Sequence, residues 1–229
     1  MVDLTDEERR LFDKLREIVD KVCARVHQEE YDTLTQEAPL TAILAAEIRN
    51  ELRHHRVVVG RLSIDVMSRN VPDRGRHSME SINGADLYIS LVRRDKGISK
   101  GVLLQAKWEE ELYDGDKRLR NQALRMQTRS AIGSFILVFG PRGIVAVPAL
   151  RATWPRVPFD FLDEAISVGT LIADGLICTR GDHELGRDLD TPPPQGIDDV
   201  LRRISGDDQP ALEFQVKRAI TSRMRSGGG

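Results

Sequence analysis

Cysteine is nearly missing from this chain: Cys23 and Cys178 are the only two among 229 residues. Two dispersed thiols supply neither a disulfide framework nor a four-ligand zinc site. No apolar run has the length of a signal-peptide core or a membrane span, so no membrane contact and a cytoplasmic location are expected. An excess of one charge is missing too, because 34 Lys and Arg oppose 36 Asp and Glu, for a net charge of −2. No whole-chain basic field therefore announces nucleic acid, and any surface for it must come from local clustering. The chain also lacks an internal repeat, a Walker sequence, a dinucleotide fingerprint and a coiled-coil heptad, which excludes the functions those devices carry. What remains is 40% hydrophobic residues, enough to bury one sizeable core, and a length that fits one α/β domain with elaborations.

The most informative residues are Asp86, in Gly84-Ala85-Asp86-Leu87-Tyr88-Ile89, and Gln105 and Lys107, in Val102-Leu103-Leu104-Gln105-Ala106-Lys107-Trp108. Successive side chains of a strand point to opposite faces, so Gln105 and Lys107 share one face while Leu104 and Ala106 share the other. Leu87, Ile89 and Leu91 line one face of the earlier run, and the turn-like Asp95-Lys96-Gly97 precedes the later one. An antiparallel hairpin follows, and it could set Asp86 opposite Gln105. A carboxylate and an amide oxygen are hard ligands suited to Mg²⁺, and a nearby lysine can orient a metal-bound water or help to deprotonate it.

The flanking segments supply a scaffold. Leu11, Leu15, Ile18, Val19, Val22 and Val26 recur at helical spacing within residues 5 to 30, predicting an amphipathic helix that packs on the core or serves a dimer. A second helix is expected from a Thr41 cap to about His55, with Glu47 and Glu51 beside its apolar stripe. A carboxylate there needs a partner. Val57 to Met67 reads as the first strand, and Ser68 to Asn83 as a long polar loop. Its Arg69, Arg74 and Arg76 could grip phosphates just ahead of Asp86, and Glu80 is an extra ligand candidate or a surface residue. A helix over about Lys117 to Arg129 carries Arg118, Arg120, Arg125 and Arg129, several of which could line a DNA channel. Phe135 to Phe139 and Ile144 to Val147 read as a hairpin joined at Pro141-Arg142-Gly143. Beyond them, Phe159 to Cys178 looks helical, Arg180 to Gly196 is a polar loop in which His183 lacks ligand spacing, and Ile197 to Arg225 reads as short helices. Residues 226–229 read as a flexible tail.

Asp86 with Gln105-x-Lys107 resembles the PD-(D/E)xK nucleases, in which an Asp at the start of one strand and (Glu/Gln)-x-Lys on the next form the active site. The Gln form is similar to Mrr-like restriction enzymes and antiphage-defence nucleases. The resemblance implies a restriction-endonuclease-like α/β core over residues 37–150, ordered α-β-β-β-α-β, with a mixed central sheet flanked by helices. Residues 1–36 would add the N-terminal helix and residues 151–225 a C-terminal helical elaboration. It implies a Mg²⁺-dependent deoxyribonuclease, Mn²⁺ substituting, of the kind used in restriction or antiviral defence. Asp86, Gln105 and Glu47 would hold the metal, with Glu51 as the alternate to Glu47, and Lys107 would position or activate water. The segment Leu119 to Met126 resembles the packing helix of such enzymes, making Gln122 a further candidate beside Arg74, Arg76, Arg118 and Arg125 for contact with DNA. Double-stranded DNA is the favoured partner, and a homodimer or a larger complex would present two sites to two strands. Two other readings stay open: a catalytically weak nuclease-fold subunit that binds nucleic acid or a partner protein, and an unrelated α/β domain with a chance Gln-x-Lys strand.

Overall fold

A computed structural model describes residues 3–33, 36–69, 84–112, 117–154, 157, 160–205 and 211–218. The first helix, α1 (Asp6–Glu30), starts at a capping box: the Thr5 hydroxyl accepts from the Glu8 amide, and the Glu8 carboxylate accepts from the Thr5 amide. Its stripe of Leu11, Leu15, Val19, Val22 and Val26 is buried against the rest of the chain. The second helix, α2 (Glu37–His55), begins a turn earlier than Thr41. Thr41 is therefore no cap, and its hydroxyl instead donates to the Glu37 carbonyl at 2.9 Å. Pro39 does not delay the start, because a first-turn residue has no intrahelical use for its amide hydrogen.

The single strand expected over 57–67 is two. β1 (Val58–Val59) and β2 (Leu62–Arg69) fold back on each other, with Val59 paired to Leu62 across a turn that holds Gly60 at φ +56°. β3 (Leu87–Arg93) and β4 (Ile98–Trp108) then form an antiparallel hairpin in the register Leu87 to Leu104. α3 (Lys117–Arg129) crosses over to β5 (Ser134–Gly140), which lies parallel to β4, and β6 (Gly143–Pro148) returns antiparallel to β5. In place of a long helix over 159–178 come a 3₁₀ turn at Phe161–Glu164, the short β7 (Ile166–Ser167) and α4 (Val168–Leu176). Ser167 stops the strand and caps α4 by accepting from the Thr170 amide. α5 (Gln195–Ser205) and β8 (Ala211–Arg218) complete the described chain.

The strands form one mixed sheet in the order β1-β2-β8-β3-β4-β5-β6-β7. An α/β architecture with a mixed sheet flanked by helices is thus present, but its connectivity differs from the expected one. β8 lies between β2 and β3, antiparallel to the former and parallel to the latter. The first three strands are consequently not consecutive in the sheet, and the described part of residues 151–225 is not helical alone: beside α4 and α5 it gives the sheet a central strand. Leu212, Phe214 and Val216 explain why it goes there, since each is fully buried against the layer of α1, α2 and α4. On the opposite face, α3, α5 and a 3₁₀ turn at Ala149–Thr153 cover Tyr88, Leu103, Ile136 and Val138. Among the described residues no helix is long and apolar enough to cross a membrane.

Candidate active site

Asp86 stands one residue ahead of β3 and is held by β4. Its amide donates to the Leu104 carbonyl at 2.7 Å, and its Oδ2 accepts from the Ala106 amide at 2.8 Å. The carboxylate thereby takes a backbone donor that has no strand opposite it, which fixes the side chain at the end of the hairpin. Gln105, 2% exposed, donates from Nε2 to the same Oδ2 at 2.5 Å and to the Ala106 carbonyl at 3.1 Å. Its Oε1 is buried and has no hydrogen-bond partner among the described residues. An unsatisfied buried acceptor costs about 1–3 kcal/mol, so this oxygen calls for a donor or a cation.

Lys107 lies on the same face, two positions on, with 5% exposure. Its Nζ donates to Glu37 at 3.3 Å, from the first turn of α2, and to Glu111 at 3.3 Å, from the 3₁₀ turn Glu109–Leu112 that follows β4. Burial alone would lower the lysine pKa, but the two carboxylates more than offset it and hold the value above the ordinary 10.5. An ammonium in that setting can position water and stabilise charge, whereas taking a proton from water would require the neutral amine.

The remaining candidates divide. Glu47 and Glu51 are engaged by Arg25 of α1 at 2.9 and 3.2 Å, and Glu51 also meets His55 at 2.9 Å. The partner that a stripe-edge carboxylate demanded is thus a cation of the neighbouring helix, and the α2 carboxylate that meets Lys107 is Glu37. Glu37 escaped notice because the helix start was placed at Thr41. Gln122, 3% exposed, packs against the segment leading into Asp86. A Cβ on Gly84 would fall 2.5 Å from the Gln122 carbonyl oxygen, and Gly84 has φ +78°, so only glycine fits there. Arg118 and Arg125 lie on α3 and are exposed. Arg69 ends β2 opposite Ala211, while Arg74, Arg76 and Glu80 lie outside the described residues. His183 belongs to a tied-down loop, its Nδ1 3.1 Å from the Ser99 carbonyl oxygen.

Among the described residues no three His, Cys, Asp or Glu side chains come together to hold a metal ion. Asp86 and the Gln105 Oε1 still fit Mg²⁺, which keeps several waters and takes one or two protein oxygens; they do not fit zinc. With Nε2 turned to Asp86, the amide must rotate before both residues can share one cation. A hollow of about 340 Å³ between the end of α2 and β2, lined by Arg53, Arg56 and Asp65, contains none of these groups. No family model, curated protein or solved structure matches the chain.

Proposed function

We propose that this protein is a metal-dependent nuclease that hydrolyses DNA phosphodiester bonds at Asp86, Gln105 and Lys107. The observation that carries the reading is the Gln105 Oε1, a buried oxygen without a hydrogen-bond partner among the described residues, on the amide whose Nε2 donates to the Asp86 carboxylate. Those two oxygens would hold Mg²⁺ or Mn²⁺, which when bound supplies charge neutralisation and a water of lowered pKa. Asp86 would anchor, its position set by the Ala106 amide. Lys107 would hold its ammonium toward the phosphate or the attacking water, stabilising negative charge as it develops in the transition state. Glu37 and Glu111 would keep that ammonium charged and aimed. The cations of α3 would meet the phosphate backbone.

Cleavage of supercoiled plasmid and of single-stranded circular DNA, with millimolar Mg²⁺ or Mn²⁺, tests the reading. Wild-type protein is expected to cut, and Asp86→Ala and Lys107→Ala are each expected to lose at least about a hundredfold in rate. Retained activity in either variant sinks the site assignment. One observation favours a second reading, a nuclease fold that binds without cutting: Asp86 takes two N–H donors and Lys107 two carboxylates, so the cluster is already largely compensated. An inactive wild type that binds DNA would select it.

A further inference from the structure

α3 carries Lys117, Arg118, Arg120, Arg125 and Arg129 and no acidic residue, in a chain whose net charge is −2. At 100° per residue its side chains fall on two flanks. Arg118, Arg125 and Arg129 share the flank of Gln122, whose backbone lies against Gly84, two residues before Asp86. Arg120 and Leu124 share the opposite flank, where Arg120 Nε donates to the Thr153 carbonyl at 2.9 Å. That bond ties α3 to the 3₁₀ turn Ala149–Thr153, and exposed apolar side chains stand on both elements and just beyond: Leu124 is 41% exposed, Leu150 57% and Trp154 51%. Arg151 lies over the Trp154 ring at 5.9 Å and is itself held by Asp160 and Glu164 at 2.9 and 3.0 Å, which steadies the indole.

We propose that Trp154, with Leu150 and Leu124, is a stacking platform for unpaired bases, and that the protein binds a single strand of nucleic acid whose backbone crosses the cationic face of α3. Charge complementarity decides the occupant. A polyanion meets guanidinium groups along the whole helix, and a half-exposed indole beside them offers the face that a splayed base needs. A duplex hides its bases in the stack and would leave Trp154 unused, so this inference departs from the duplex expected from sequence. It rests on the nuclease reading for what the strand is delivered to, since Gln122 puts the other flank of α3 next to Asp86.

The test is fluorescence anisotropy of a labelled oligothymidylate with the full chain in EDTA, where cleavage plays no part. Trp154→Ala is expected to weaken binding about tenfold, Trp154→Phe to restore most of it, and unlabelled duplex to compete poorly. Replacing Arg118 and Arg125 by Gln should flatten the salt dependence. Unchanged affinity in Trp154→Ala, equal competition by duplex, or no binding overturns the proposal. So does self-association that depends on Trp154 in sedimentation velocity, which would make a second copy the occupant. A wild type that binds the strand yet never cuts it refutes the nuclease reading and leaves the platform standing.

Discussion

Two polar clusters sit in the same sheet and are built on opposite plans. At the centre, between β8 and β3, Arg187 and Glu213 are wholly buried and close on each other: Nε meets Oε2 at 2.5 Å, Nη2 meets Oε1 at 3.1 Å, and the Ser90 hydroxyl donates to the same carboxylate. The other guanidinium nitrogen donates to the carbonyls of Asp188 and Thr191. Charges match one to one. At the end of the β3–β4 hairpin, Glu37 and Glu111 meet the Lys107 ammonium, Asp86 takes the Gln105 and Ala106 N–H groups, and the Gln105 oxygen lacks a partner among the described residues. A matched, desolvated pair has no capacity for a ligand and holds a strand in register. A carboxylate beside a buried amide whose oxygen is open among the described residues has capacity for a cation.

The contrast can be broken by mutation. Glu213→Gln leaves the Arg187 charge buried and uncompensated, and should cost about 3–5 kcal/mol of stability in urea unfolding. Asp86→Asn keeps an acceptor for the Ala106 amide and should cost about 1 kcal/mol or less. Equal losses would mean that the hairpin cluster is as structural as the central pair.

Acid sharpens the comparison further, through a third cluster at the far end of β3. Glu8 is placed against Arg93, at 2.5 Å, and Lys96, and the same guanidinium also meets Asp95. Burial pushes the Glu8 carboxyl up, but Lys96, Arg93 and the Thr5 amide and hydroxyl prevail and bring it from 4.5 down to about 2. A depressed folded-state value means stability that is present above pH 4.5 and lost as pH falls toward 2. Glu8→Gln should therefore flatten the acid limb of the stability curve over that window, measured by thermal unfolding. An unchanged limb would remove Glu8 from the stabilising set.

The hairpin that carries the candidate site was legible because its information is local: alternation in Leu87 to Leu91 and Val102 to Ala106, a turn between, and a register that leaves Asp86 facing Gln105. The place of β8 was not. The reading of Ile197 to Arg225 as short helices missed the strand itself, though Ala211 to Val216 alternates as a strand does, and nothing in a local pattern says that it will insert between β2 and β3, because that choice is made by pairing with distant segments. The partner of Glu47 was hidden for the same reason. The need for a partner was visible, but Arg25 lies on a helix whose approach is a tertiary fact. Glu37 was hidden by a smaller error, one turn at the start of α2. The matched pair of Arg187 and Glu213 left no signal at all, since each residue alone reads as a surface charge.

The central claim is that the hairpin cluster, unlike the central pair, takes a divalent cation. Titration of Mn²⁺ followed by loss of the free-ion paramagnetic resonance signal measures this without reference to any substrate. The account predicts saturable binding by the wild type, tighter binding by Gln105→Glu because a second carboxylate replaces the amide, and none at this site in Asp86→Ala. Binding that survives in Asp86→Ala, or a wild type that takes up no Mn²⁺, would contradict it.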